Sequence, residues 1–115
     1  MNTKILGTKG ETKAEKFLEN AGLKIVRKNY VNFIGEIDII CYDNKTEETV
    51  FVEVKTRSSS LFGRPIEAIT PHKQKKIRDC ATIYLRDNKL LDTKARFDVV
   101  EILGNEISHI KYAFW

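Results

Sequence analysis

Cysteine is scarce, with only Cys41 and Cys80 in a chain of 115 residues, which argues against a disulfide framework and against any zinc motif of paired cysteines. Lying in a predicted strand and a predicted helix, both fit buried, reduced thiols. No apolar run approaches the roughly 18 residues that a bilayer-spanning helix requires. The N-terminus also lacks the charged-then-apolar pattern of a signal peptide, so a cytoplasmic protein with no membrane partner is expected. There are no internal repeats, low-complexity tracts or linkers, and the length matches a single domain, 1–115, around one core. A Gly-x-x-x-x-Gly-Lys loop is absent, which argues against ATP use. His72 and His109 have no nucleophilic serine or cysteine at an interpretable spacing, so there is no basis for a catalytic triad.

What is present is charge. The chain is 42% hydrophobic and 31% charged, the balance of an ordinary soluble globular domain. Its net charge is +4 and its pI about 9.1, which favours an anionic partner without proving one. The cations are unevenly spread: Lys55, Arg57, Arg64, Lys73, Lys75, Lys76 and Arg78 all follow closely after a pair of acidic strands. A cationic region beside carboxylates is what a phosphodiester substrate requires electrostatically.

Those strands are Gly35–Tyr42 and Val50–Arg57, both rich in β-branched residues and joined by the polar segment Asp43–Glu48. Alternation puts Glu53 and Lys55 on one face of the second strand, and Glu36 and Asp38 on one face of the first. A hairpin centred between Lys45 and Thr46 pairs residues whose numbers sum to 91, setting Asp38 opposite Glu53 and Glu36 opposite Lys55. Directly opposed like charges are destabilising, and a divalent cation between them removes the repulsion. Carboxylate oxygens suit Mg²⁺ or Mn²⁺, which bind through one or two carboxylates and complete their shell with water and phosphate. The alternative reading is a charge cluster at a sheet edge, where such residues discourage aggregation.

Asp38 followed by Glu53-Val54-Lys55 resembles the D…(D/E)-x-K signature of the restriction-endonuclease-like nuclease superfamily. A longer ordered set is similar to the YraN-like family, small bacterial proteins related to archaeal-type Holliday-junction resolvases. It comprises Gly7-x-x-Gly10-Glu11, Gly35–Ile40, Phe51–Arg57, Phe62-Gly63 and Lys73-Gln74, covering Gly7 to Ile102. The resemblance implies a restriction-endonuclease-like α/β core, a central mixed β-sheet flanked by helices. It also implies a Mg²⁺- or Mn²⁺-dependent endonuclease acting on DNA. Asp38 and Glu53, the backbone carbonyl of Val54 and Glu11 would hold the metal, with Lys55 beside the nucleophilic water. A junction-resolving role further implies a homodimer, since two symmetric cuts need two sites. A non-catalytic nucleic-acid-binding module that keeps the fold is the competing expectation.

In chain order, the apolar positions Ala14, Phe17, Leu18 and Ala21 predict a helix from Thr8 to Ala21, ended by Gly22. Glu11 falls on its inward stripe; from the residues alone it favours the positive helix N-terminus, whereas the resemblance places it in the metal site. Leu23–Tyr30 reads as a strand. Ser58–Pro65 reads as a loop that sets Arg57, Arg64 and Ser58 near substrate phosphates. Thr70 as N-cap and Pro71 at the first position open a helix to Asn88, with Ile77, Cys80, Ala81, Tyr84 and Leu85 as its apolar stripe. That stripe turns Lys73 and Gln74 inward and Lys75, Arg78 and Arg86 outward; with Lys76, the first two complete the candidate nucleic-acid contacts. Ala95–Leu103 and Glu106–Ala113 are the last two strands, joined at Gly104-Asn105. Asp98, inside a strand with no second carboxylate at useful spacing, is expected to be structural. The resulting order is αβββαββ.

Overall fold

The computed structural model describes residues 3–57 and 69–114, with side chains from Thr12 onward. The predicted loop Ser58–Pro65 with Arg64, the side chain of Glu11 and Trp115 therefore lie outside the described residues. The elements are α1 (Thr3–Asn20), β1 (Lys24–Val31), β2 (Glu36–Asp43), β3 (Glu48–Arg57), α2 (Pro71–Asp87), β4 (Lys94–Leu103) and β5 (Glu106–Phe114). This is the expected αβββαββ order. Helix α1 begins at Thr3 rather than Thr8 and runs through Gly7 and Gly10, each of which costs a helix about 1 kcal/mol relative to alanine. It ends as foreseen at Gly22 (φ +94°). There the Leu23 amide donates to Leu18 O and the Gly22 amide to Glu19 O, both at 3.0 Å, a Schellman closure that needs the left-handed backbone glycine adopts without strain. At the start of α2, the Lys73 amide donates to Thr70 Oγ1 at 3.2 Å.

The five strands form one mixed sheet in the order β1-β2-β3-β4-β5. All neighbours are antiparallel except β3 and β4, and this parallel pair requires a crossover connection, which contains α2. Ala14 and Leu18 of α1 pack with Ile39, Cys41, Val50, Val52, Val100 and Ile102. Ile77, Cys80, Ala81 and Tyr84 of α2 pack with Ile40, Phe51, Phe97 and Val99. Because neighbouring residues of a strand face opposite ways, the two helices cover opposite faces and the sheet is buried between them. Both cysteines are free and buried, and burial pushes the Cys41 thiol up to about 12. Phe114 stacks on Phe97 with ring centroids 5.1 Å apart. No helix among the described residues is long and apolar enough to cross a membrane.

On the α1 face, strands β2 to β5 meet at one buried guanidinium. Arg96 Nη1 donates to Asp43 Oδ2 at 2.9 Å, Glu48 Oε1 at 3.0 Å and Thr46 Oγ1 at 3.3 Å. Its Nε donates to Asp98 Oδ1 at 3.1 Å. Asp98 also accepts from the Tyr112 amide at 3.1 Å and meets His109 Nε2 at 2.8 Å. Tyr112 stands in the left-handed region (φ +53°) where the β4–β5 register shifts, and its hydroxyl donates to Glu48 at 2.6 Å. Asp98 thus anchors a β-bulge, which is its structural role. Burial alone would raise Asp43 and Glu48. The hydrogen bonds from Arg96 and backbone amides to Asp43, and from Tyr112, Thr46 and Arg96 to Glu48, outweigh burial and hold both below the ordinary carboxylate range.

Arg96→Met leaves three buried carboxylates facing one another without their shared cation. We expect it to cost about 3–5 kcal/mol, measured by urea unfolding at neutral pH, with most of the loss recovered when Asp43 and Asp98 are neutralised as well. Stability unchanged by Arg96→Met would contradict this account of the sheet.

Candidate active site

The β2–β3 register runs through Asp43↔Glu48, Tyr42↔Thr49, Cys41↔Val50, Ile40↔Phe51 and Ile39↔Val52, each pair summing to 91 as the centring on Lys45 and Thr46 requires. The ladder stops there. One step further, where Asp38 would face Glu53, the Asp38 carboxylate takes the place of backbone and accepts from the Val54 amide at 2.7 Å. The N–H and C=O of one residue in a strand point to the same edge, so the Val54 carbonyl lies on the Asp38 side. The expected pairing of Glu36 with Lys55 does not form; Glu36 pairs with Val31 on β1, while Lys55 lies beside Glu101 on β4. The reason is that β2 and β3 part after Ile39 and Val52, which leaves an opening at this end of the sheet.

Alternation carries Glu53 and Lys55 onto the α2 face with Phe51. Lys55 Nζ stands 3.7 Å from Glu53 Oε1, and Lys73 Nζ, from the first turn of α2, stands 3.9 Å from the same oxygen. Burial, and secondarily the charge of Asp38, push the Glu53 carboxyl up to about 7, although Lys55 and Lys73 pull it down. Burial and the adjacent Lys73 ammonium lower Lys55 from the ordinary lysine range despite Glu53. Gly35, Glu36, Glu53, Lys73, Lys76 and Ile77 line a cleft of about 200 Å³ over these groups. Larger clefts of about 350 and 420 Å³ lie at the opposite end of the sheet, around Tyr42, Thr49 and Leu90. They contain none of the candidate residues, and a polymer that lies across a surface needs no deep cavity.

The structure therefore brings together Asp38, Glu53, Val54, Lys55, Lys73 and Lys76. Two expected contacts are otherwise engaged. Arg57 Nη1 donates to Glu101 Oε2 at 3.0 Å, and Gln74 Nε2 donates to Ile69 O at 3.0 Å, helping close the start of α2. Lys75 faces outward on Asp79 and Arg86 on Asp87, as expected, whereas Arg78 is partly buried. Glu101, buried and beside Lys55, was not foreseen; its signal was a carboxylate inside an apolar strand, the same signal that singled out Asp38. The two carboxylates and the Val54 carbonyl are hard oxygen donors of the kind that Mg²⁺ or Mn²⁺ takes. Among the described residues no group of three or more histidine, cysteine or acidic side chains could hold a metal ion; the side chain of Glu11, the third carboxylate that the resemblance implies, lies outside them.

A five-stranded mixed sheet between two helices, in the order αβββαββ, is compatible with a restriction-endonuclease-like core. The model of the uncharacterised protein family UPF0102, the YraN family of the resemblance, matches residues 10–102, and the chain belongs to that family. It is similar to UPF0102 proteins of Clostridioides difficile (46% identical over 116 residues, 99% of this chain and 100% of the relative) and Geotalea daltonii (45% over 118 residues, 98% and 91%). A UPF0102 protein of Persephonella marina is 42% identical over 110 residues, 96% of this chain and 93% of the relative.

The raised Glu53 carboxyl has a definite sign. A carboxyl that titrates at 4.5 when unfolded and about 7 when folded binds the proton more tightly in the native state. It costs nothing below about pH 4.5, and an increasing penalty up to pH 7, about 3 kcal/mol at most. Glu53→Gln is therefore expected to stabilise the metal-free protein by about 1–3 kcal/mol at pH 8 and to make no difference at pH 4.5, measured by urea unfolding in chelator. A destabilised variant at pH 8 would mean that the two lysines outweigh burial and Asp38.

Proposed function

We propose that this protein is a divalent-metal-dependent endonuclease that hydrolyses DNA phosphodiester bonds, with branched DNA among its candidate substrates. The observation that carries the reading is the gathering of Asp38, Glu53 and Lys55 where β2 and β3 part: Asp38 accepts from the amide of Val54, the residue after Glu53, at 2.7 Å, its charge acts on Glu53, and Lys55 stands 3.7 Å from Glu53. Asp38, Glu53 and the Val54 carbonyl would hold Mg²⁺ or Mn²⁺, with Glu11 as a further ligand. A bound ion supplies a phosphate-oxygen ligand position and a water of lowered pKa. The protein's own part is positioning and charge. The Val54 amide fixes the Asp38 carboxylate; Lys55 orients the attacking water and offsets charge at the scissile phosphate. Lys73 and Lys76, on the wall of the cleft, draw the DNA backbone in. A reaction with two symmetric cuts calls for a homodimer, and the expected setting is the cytoplasm.

One observation favours a second reading, a DNA-binding module without catalysis. Glu53 already lies within 4 Å of two lysines, which neutralise it without a metal. Salt-sensitive DNA binding is common to both readings; dependence on metal separates them.

Labelled single strands, duplex, flaps and four-way junctions incubated with Mg²⁺ or Mn²⁺ provide the test. Asp38→Ala and Glu53→Ala are each expected to abolish cleavage. Lys55→Ala is expected to lower kcat by about 10²–10³ while changing the metal Kd, measured by calorimetry, far less. Absence of cleavage by the unaltered protein, with binding indifferent to chelator, would replace the nuclease by the binding module.

A further inference from the structure

Phe33 is the most exposed of the large apolar side chains among the described residues, 85% accessible at the tip of the β1–β2 turn. An aromatic ring left in water on a mobile loop would mean little. This turn is tightly held. The Asn32 amide donates to Gly35 O at 2.9 Å, and Asn32 Oδ1 accepts from the Ile34 amide at 2.9 Å and the Gly35 amide at 3.4 Å. Asn32 Nδ2 donates across to Cys80 O on α2 and to the Tyr30 hydroxyl, both at 3.1 Å. Ile34, the next residue, packs against the α2-side core. Every neighbour of Phe33 is thus tied down while its own ring faces solvent, so a partner of that ring would lose little conformational freedom to it on binding.

The turn leads directly into the cleft wall. Gly35 and Glu36 line the cleft together with Glu53, Lys73 and Lys76, and Asp38 follows along β2 at about 3.3 Å per residue. A ring two residues before the Gly35 wall of a cleft that also carries Lys73 and Lys76 offers the two contacts a nucleic-acid strand needs, cations for its phosphates and a flat apolar face for a base. An apolar protein partner would gain nothing from the lysines. We infer that Phe33 stacks on an unpaired base of the strand whose phosphate lies at Asp38 and Glu53. This rests on the nuclease reading and sharpens it: the substrate class is DNA that presents unstacked bases near the cut, single-stranded or branched, rather than continuous duplex.

Phe33→Ala and Phe33→Trp, in the full chain, test this by fluorescence anisotropy with labelled single-stranded, flap and duplex DNA in Ca²⁺, alongside Mg²⁺-dependent cleavage. Phe33→Ala is expected to weaken flap and single-strand binding about tenfold and leave duplex binding unchanged. Phe33→Trp is expected to bind like the unaltered protein, its added indole fluorescence quenched by the stacked base. The inference is overturned if Phe33→Ala binds and cuts all substrates normally, if it weakens duplex binding equally, or if it only dissociates a dimer. In each case the nuclease reading stands. If the unaltered protein neither binds nor cuts any of these substrates, both fail together.

Discussion

The Arg96 guanidinium is the interaction on which the arrangement depends. Its bonds to Asp43 at the end of β2, Thr46 in the turn, Glu48 at the start of β3 and Asp98 in β4 fasten both arms of the hairpin and its parallel neighbour at one point. A slip of one residue would put Asp43 or Glu48 on the wrong face and strand a charge in the core. The register that Arg96 favours is the one that carries Asp38 to the Val54 amide, beside Glu53, at the other end of the same strands. A buried ion-pair network is weak grounds for stability in itself. Here it specifies which residues meet, and through Asp98 it also sets the bulge that turns Tyr112 back onto Glu48.

The candidate site reverses this logic. At the Arg96 end the acidic groups share a cation held by many hydrogen bonds and stay below the ordinary range. At the Asp38 end Glu53 has lysines at 3.7 and 3.9 Å, yet burial and the charge of Asp38 push it up to about 7. A group so perturbed by burial and a like charge, at the rim of a cleft, is where functional chemistry is concentrated in proteins. The parting of β2 and β3 is the structural cause. Asp38 stays in place by substituting its side chain for the missing ladder bond to Val54, which keeps the carboxylate rigid at an opening that would otherwise fray.

Much of this was legible in the residues, because local signals agreed with one another. Thr70-Pro71 and Gly22 mark helix ends by capping chemistry; the polar segment between two β-branched runs marks the hairpin centre, and with it the register from Asp43↔Glu48 to Ile39↔Val52. What could not be read depends on contacts distant in sequence. The ladder stops after Ile39 and Val52 with no change of pattern in either strand, so neither the Asp38–Glu53 nor the Glu36–Lys55 strand pairing that the register predicts is formed. Arg57 looked available for phosphate until β4 brought Glu101 against it, and Gln74 looked aimed at the cleft until it turned back on Ile69. Asp98 is structural, as its isolation from other carboxylates in the strand implies, but its partners Arg96, His109 and the Tyr112 amide are joined by the fold, not by spacing. Phe33 carries no periodic signal at all, since exposure of a turn residue is decided by what packs around it.

The most direct measurement is anomalous diffraction from crystals of the unaltered protein soaked in Mn²⁺. The account predicts a manganese peak between the Asp38 and Glu53 carboxylates, at the about 2.0–2.2 Å typical of small divalent cations with oxygen ligands, with the Val54 carbonyl in its shell and Glu53 drawn away from Lys55 and Lys73. A map with no peak there, and Glu53 still resting between its two lysines, would contradict it.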